Sequence, residues 1–388
     1  MPPRPRFAPD SFPPPRQYTF PGYHTNTRHK PRRWPLVLRV TKGSVHSSIL
    51  LPVIFHSLFT SLVVYADLYW RNVGLAGSVV PSLSIVVGLM LVFRNGTSYD
   101  RFWAGRNHLA AIVAGVRNLS RTFLVSSRGL KSNEASEDEL RDTETMVRLL
   151  VAMLYSVKHH LRAEFAPAMV TPTTPGAPYS NVHSRAHSPN GAEAGDYMSA
   201  STPLLRARPG SKSLGSSTLV ATPNPIYMNL LRHTMIPSLE ARGVALPVQL
   251  ALSVEAYIRR GLQRDWWIAP QAAMLESTLN QLLQDFAKMD TIRSTPIPIA
   301  HLIHTRQVLS LYLMALPFAL VDEMAWWAVA VIALVAFTLY GIEGIGRQLE
   351  DPFGYDKNDI KMDAIILDAQ LEVEALLEEW RDGGGAFN

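Results

Sequence analysis

Four long segments without charged side chains dominate the pattern of hydrophobic and polar positions along this chain. They cover residues 44–66, 72–93, 307–321 and 324–342, and none of them contains Lys, Arg, Asp or Glu. An α-helix rises about 1.5 Å per residue, so about 20 apolar residues cross a hydrocarbon core that is about 30 Å thick. The pattern therefore predicts four membrane-spanning helices in two pairs.

The third segment is too short to span a membrane by itself. Its helix is expected to begin before Arg306, whose long side chain can extend to the membrane interface. The alternative is a pair of buried hairpins in a soluble protein. The lengths of the segments and their paired arrangement argue against it.

Positive charges lie on one side of each pair of segments. The basic residues that flank the first pair are Arg28, Lys30, Arg32, Arg33, Arg39, Lys42, Arg94, Arg101 and Arg106. The short connections within the pairs carry Asp67 and Arg71, or Asp322 and Glu323. The positive-inside rule then predicts an integral, multi-pass protein with both termini and the middle region in the cytoplasm. Plasma membrane, endomembrane and inner mitochondrial membrane all fit this pattern.

Composition divides the rest of the chain into helical and unstructured parts. Residues 167–225 are rich in Pro, Ser, Thr, Ala and Gly, and such a segment buries too little apolar surface to offset its ordering entropy. It is predicted to be a disordered insert. The whole predicted order is a basic, proline-rich tail without a signal peptide (1–34), two spans (35–94), cytoplasmic helices (95–166), the insert (167–225), cytoplasmic helices (226–299), two spans (300–345), and a loop with a C-terminal helix (346–388).

Composition and motifs also exclude several functional classes. Only 18% of the residues are charged, against roughly 25% in soluble domains. The chain has no cysteine, so thiolate metal sites and cysteine nucleophiles are excluded. The adjacent His159 and His160 do not form a metal-binding pattern, and the chain has no P-loop, dinucleotide or GxSxG fingerprint. We expect neither an enzyme nor a nucleic-acid partner, although the net charge is +5.

Five short strings resemble the bestrophin family of membrane channels and its bacterial relatives. In chain order they are FRNGTSYDRFWAGR (93–106), KHHLR (158–162), TPIPIA (295–300), LPFALV (316–321) and EDPFGYDKNDIKMD (350–363). They extend over roughly residues 35–165 and 226–380, while the tail and the insert have no counterpart. The helix motifs are closest to bacterial members, whereas the insert is typical of a eukaryotic, fungal-like member.

This resemblance implies an all-α, bestrophin-like homopentamer, with four membrane helices and a helical cytoplasmic domain in each subunit. It implies a passive channel for chloride and similar small anions that requires no cofactor. The second span would line a narrow neck with Ile85, Leu89 and Phe93, whose spacing of four places them on one helix face. A second constriction would fall at Ile268 and Pro270.

Two features of these residues favour anions. The edges of the Phe93 rings carry the positive end of the aromatic quadrupole. Three basic residues below the neck, Arg94, Arg101 and Arg106, are candidates for drawing anions into a vestibule. Ordinary helix packing is the alternative for the apolar stripe, and a salt bridge, for example between Arg101 and Asp100, is the alternative for the arginines.

The resemblance also suggests a calcium site in the loop that follows the fourth span. Asp356 and Asp359 fall at the carboxylate positions of that site in eukaryotic members, although Lys357 and Asn358 interrupt the acidic run. The alternative is that Asp359 or Asp363 caps the following helix. Glu343 and Glu350 lie seven residues apart and are expected on a solvated face or at a contact with a neighbouring subunit.

Two other functions stay open at this point. The family includes a cation-conducting bacterial branch, so selectivity for cations is the first alternative. A membrane scaffold or regulator that recruits partners through its insert is the second. A transporter of small organic anions is grouped with the cation channel as the first alternative.

Overall fold

The computed structural model describes residues 45–70, 73–74, 77–126, 136–163, 225–240, 242–356 and 358–382. The predicted basic tail, the basic residues before the first span and the predicted insert up to residue 224 lie outside these ranges. Within them the regular structure is helical, with ten α-helices and a short 3₁₀ turn at Gly77–Val79. The predicted all-α class is confirmed.

Four helices among the described residues are long and apolar enough to cross a membrane. They are α1 (His46–Tyr69), α2 (Val80–Ser126), α8 (Ile299–Met324) and α9 (Trp327–Leu349). Helix α8 begins seven residues before Arg306, as the short third segment predicts. Its start follows Pro298, which has no N–H to contribute to a preceding turn. The prediction of four spans and an integral membrane protein is confirmed.

The other helices form a domain outside the spans. They are α3 (Glu137–Leu161), α4 (Pro225–Thr234), α5 (Pro237–Glu240), α6 (Leu246–Gln263), α7 (Ala269–Ser294) and α10 (Met362–Arg381). Helix α3 is almost entirely buried from Met146 to Lys158, in contact with α2, α4, α6 and α10. Fully buried aromatic side chains such as Tyr257 and Trp267 fill the centre of this domain.

Helix α2 joins the membrane part to the helical domain without a break. It runs for 47 residues, or about 70 Å, whereas the predicted order ended the second span at residue 94 and began separate cytoplasmic helices at residue 95. The segment between the two parts is polar but contains no proline, so nothing in it interrupts the hydrogen-bond ladder. The predicted boundary between spans and cytoplasmic helices at residue 94 therefore falls inside one continuous helix.

Contacts between distant segments fix how α2 is rotated about its axis. In the membrane part, Val87 and Leu91 pack against Leu309 and Leu313 of α8 and Ala336 of α9. In the helical domain, the same helix buries an apolar face that includes Leu109, Ile112, Val116 and Leu119. In the helical domain, each such buried side chain stabilises the fold by about 1.5–3 kcal/mol relative to exposure to water. One side of α2 is thus committed to the interior along its whole length.

Candidate ion pathway

The predicted neck residues lie on the side of α2 that the rest of the chain leaves uncovered. Ile85 is 71% exposed, Leu89 54% and Phe93 65%, although all three are large and apolar. Only 17% of the apolar stretch of α2 is buried in the single chain, against 28% in each other span. The structure therefore leaves an apolar stripe on α2 that lipid, a neighbouring copy or a pore must face.

Polar contacts on the opposite side of α2 hold this orientation. In the membrane part, the hydroxyl oxygens of Ser84 and Tyr312 on α8 are 2.9 Å apart. Where α2 leaves the spans, Nη2 of Arg94 donates to Oε2 of Glu350 at 3.3 Å. These contacts join α2 to α8 and to the end of α9, and they set the direction in which the neck residues point.

Two of the predicted vestibule residues, Arg94 and Arg101, make contacts within the chain. Arg94 is 2% exposed and pairs with Glu350. Arg101 donates to three backbone carbonyl oxygens, those of Ile292 at 2.6 Å, Thr295 at 2.8 Å and Glu350 at 3.2 Å. Its partners are thus carbonyls at the α7–α8 junction and at the end of α9. The carboxylate of Asp100 is not among them, because consecutive residues on a helix point about 100° apart. Both guanidinium groups hold elements together.

Arg106 is the third predicted vestibule residue, and it is half-buried. It lies 17 residues after Leu89 on α2, which places it about 100° around the helix from the neck stripe. The neck stripe and the three arginines therefore occupy different faces of the same helix. The structure does not bring them together.

The two glutamates assigned to a solvated face or a subunit contact both have partners within the chain. Glu343 on α9 is 8% exposed, and its Oε1 accepts a hydrogen bond from Nε of Arg306 on α8 at 2.9 Å. Glu350 accepts from Arg94, as described above. Since the pairs join α9 to α8 and to α2, the expectation of a solvated face is wrong for both.

The second predicted constriction lies on an exposed tip. Ile268 is 57% exposed and immediately precedes α7, and Pro270 is exposed in the first turn of that helix. The neighbouring Trp267 is buried, and its Nε1 donates to the carbonyl oxygen of Ile258 at 3.0 Å. Its ring lies against Gly261, where an added Cβ would overlap the indole. The tip is therefore held by a buried aromatic anchor.

The loop after α9 folds around Asp359. This side chain is 6% exposed, and its Oδ2 accepts from the backbone N–H of Asp356 at 2.6 Å. Burial, together with the nearby carboxylates of Asp356 and Asp351, raises the pKa of Asp359 to about 6. Gly354 permits this packing, since a Cβ there would lie 2.8 Å from the Asp359 carboxylate.

The calcium site at Asp356 and Asp359 stays a prediction, and these two side chains would supply only part of its ligands. Calcium is usually held by six to eight oxygen atoms, several of them carboxylate, whereas Asp359 turns one oxygen onto a backbone N–H. No group of three or more His, Cys, Asp or Glu side chains suited to a metal occurs among the described residues.

The alternative of a helix cap is not seen. The N-cap of α10 is Lys361, which makes no side-chain capping bond. Asp363 lies in the first turn and instead accepts from Lys158 at 2.9 Å and Arg162 at 2.7 Å. Burial works against ionisation of Asp363, but its hydrogen bonds and charge interactions with these two cations hold its pKa below the ordinary value.

Comparison with known proteins agrees with this architecture. The family described as "Bacterial/Fungal Bestrophin protein" matches residues 25–375. The chain belongs to this bestrophin family. It is 32% identical over 352 residues to a voltage-dependent anion channel-forming protein of Nostoc sp., covering 89% of this chain and 92% of the relative. A protein of the same description from Synechocystis sp. is 28% identical over 350 residues, covering 90% and 93%.

Solved structures agree on the fold of this bestrophin. A bacterial bestrophin homologue from Klebsiella pneumoniae superposes with a TM-score of 0.60 at 18% sequence identity, covering 85% of this chain and 98% of the other. A crystal structure described only as that of a membrane protein gives 0.61, also at 18% identity, with coverage of 85% and 99%. At this level of identity the likeness shows the fold alone.

Sequence reasoning missed the residues that continue the neck face into the helical domain. Asp100 and Asn107 are both exposed on α2. Continuing the helical period beyond Phe93 would have indicated them, but the second span was predicted to end at residue 94. A partly buried contact between Nε2 of His56 on α1 and the hydroxyl of Tyr340 on α9, at 3.0 Å, had no sequence signal.

Proposed function

We propose that this bestrophin is one subunit of a homopentameric channel that conducts chloride and similar small anions passively. The observation that carries the proposal is the exposed apolar stripe of α2 at membrane depth, in a chain whose relatives are named anion channel-forming proteins. Family membership supports a channel and not an enzyme. Five copies would turn their α2 stripes towards a common axis.

In this arrangement Ile85, Leu89 and Phe93 form three apolar rings, one per helical turn, about 6 Å apart along the pore. A narrow apolar constriction can control conduction by losing its water. The Phe93 rings add a weak preference for anions through their positive edges. Ile268 and Pro270 form the second constriction, at the cytoplasmic end of the pathway.

The proposed topology places both termini and the helical domain in the cytoplasm. Asp67, Asp322 and Glu323 then lie on the opposite side, near the exposed aromatic residues Trp70, Trp326 and Trp327. Tryptophan is typical of membrane interfaces, so these three residues support a boundary of the bilayer at that level. A protease applied to sealed cells or vesicles would digest the helical domain only from the cytoplasmic side.

The decisive experiment is current recording from purified protein in planar bilayers under asymmetric KCl. A reversal potential near the chloride equilibrium value supports the anion channel. Because the curated relatives are named voltage-dependent, the same recordings are made across a range of potentials. Silent bilayers from intact pentamers would favour the scaffold function, in which the insert recruits partners.

A cation channel is the second candidate, and one observation favours it. The predicted vestibule arginines Arg94 and Arg101 are occupied by contacts within the chain, whereas the acidic Asp100 is exposed on α2. A reversal potential near the potassium equilibrium value in the same recordings would establish this candidate and overturn the first.

A further inference from the structure

The uncovered face of α2 continues from the membrane part into the helical domain. Asn107 lies 18 residues after Leu89 on this uninterrupted helix, which is about five full turns, so both residues point in the same direction. Gly96 and Asp100 lie within about 20° of that direction, and both are exposed. The buried residues Leu91 and Ser98 lie on other sides of the helix.

The chemical character of this face changes where α2 leaves the spans. Down to Phe93 the face is apolar, with Ile85 and Leu89 above it. Below Phe93 the residues within about 20° of that direction include Gly96, Asp100, Asn107 and Ala114, which are small or polar and exposed, while the exposed Trp103 lies about 40° to one side. An interface between copies of the chain would be expected to bury larger apolar side chains at its centre. The small and polar side chains along the centre of this face are typical of a wall that faces water.

Asp100 is the charged residue on this face nearest the neck. Its side chain makes no ion pair or hydrogen bond with the described residues, since Arg101 donates to backbone carbonyl oxygens of Ile292, Thr295 and Glu350 instead. It lies seven residues after Phe93, or about 10 Å along the helix. This is close to one screening length at about 0.1 M salt, so its charge acts on ions in the neck.

We propose that Asp100 and Asn107 line the conduit directly below the neck, and that Asp100 is a selectivity-determining residue that opposes anions. This inference rests on the proposed pentameric pore, in which one Asp100 per subunit forms an acidic ring. The ring concentrates cations and lowers the local concentration of anions at the cytoplasmic mouth of the neck. It limits the preference for anions that the apolar rings create.

The test compares three variants by reversal potential under asymmetric KCl. Asp100→Asn should raise the chloride-to-potassium permeability ratio by roughly two- to ten-fold, and Asp100→Lys should raise it further. The matched control is Asp138→Asn, because the side chain of Asp138 is 92% exposed in the first turn of α3. A ratio in Asp100→Asn that equals those of the wild type and the control overturns the proposal.

A second measurement does not depend on the ion that carries the current. Because the chain has no cysteine, Asn107→Cys and Asp138→Cys each introduce a single thiol. A water-soluble, membrane-impermeant methanethiosulfonate should label both thiols in the intact pentamer at rates within about ten-fold of each other, and labelling should change the current only at Asn107. Slow labelling of Asn107→Cys would place this face at a subunit interface and overturn the inference.

These outcomes separate the inference from the proposed function. If the wild-type protein conducts only potassium, the proposed anion-channel function is excluded, but Asp100→Asn should still shift the permeability ratio. If the wild-type protein conducts no ions at all, the proposed channel function is excluded. The labelling rate of Asn107→Cys then decides whether this face of α2 is open to water.

Discussion

Removal of one partner of the Arg94–Glu350 pair should destabilise this bestrophin strongly. Arg94 is 2% exposed and Glu350 17%, so a Glu350→Gln substitution leaves a buried guanidinium without its counter-charge. Breaking a buried ion pair in this way costs about 3–5 kcal/mol. The lower end is expected here, because the contact is a single one of 3.3 Å and Nη1 of Arg94 has no hydrogen-bond partner.

The free energy of unfolding is measured by equilibrium denaturation in mixed detergent micelles. The matched control is Glu372→Gln, which makes the same chemical change in the exposed pair with Arg117, where the two side chains are 54% and 45% exposed. Exposed pairs contribute about 0–1 kcal/mol. The double variant Arg94→Met with Glu350→Gln should recover much of the loss, since no buried charge remains.

Two results would refute this reasoning. A loss for Glu350→Gln no greater than that for Glu372→Gln would show that Arg94 is solvated in the folded protein. A double variant as unstable as the sum of its two single variants would show that the two groups do not interact.

Three further predictions follow from the packing and electrostatics. Gly105→Ala should destabilise the fold by about 1–3 kcal/mol, because its Cβ would lie 2.9 Å from the buried Phe353 ring. The control is Gly88→Ala on the same helix, whose Cβ would meet nothing within 4 Å and should leave the stability unchanged. Equal unfolding midpoints of the two variants would contradict this prediction. Burial raises the pKa of Asp359 to about 6 in the folded chain, whereas the same carboxyl group loses its proton near pH 4 in the unfolded chain. The free energy of unfolding should therefore fall as the pH rises between these two values. Asp359→Asn should remove that part of the slope in denaturation curves, and an unchanged slope would assign it to other groups. Phe93→Ala should lower the chloride-to-sodium permeability ratio, and an unchanged ratio would exclude a role of Phe93 in selectivity. If the neck gates the channel, the triple change of Ile85, Leu89 and Phe93 to Ala should raise the open probability in bilayer recordings.

The membrane part of the fold could be predicted because its signal is local. A run of about 20 apolar residues is readable without any knowledge of partners, and even the early start of α8 followed from the length of its segment. The spacing of Ile85, Leu89 and Phe93 likewise required only the helical period. These features depend on residues within one helix, and the structure agrees with them.

The roles of the charged residues could not be predicted, because their partners are distant in sequence. Arg94 and Glu350 are separated by 256 positions, and Arg101 and the carbonyl of Ile292 by 191. Only the folded arrangement brings the start of α8 and the end of α9 to the same side of α2. The neighbouring Asp100 was the predicted partner of Arg101, but the side chains of adjacent helical residues point in different directions and cannot form a salt bridge with each other.

Helix α2 has a buried face, which contributes to stability, and an exposed face, which is proposed to contribute to ion selectivity. The buried face carries Arg94 and Arg101, whose positive charges are compensated by Glu350 and by backbone carbonyls. The exposed face carries Phe93 and Asp100, whose surroundings lie outside the single chain. A change on the buried face should therefore alter stability and leave the permeability ratio of the surviving channels unchanged. A change on the exposed face should do the reverse, and Glu350→Gln and Asp100→Asn, measured side by side for both properties, test this division directly.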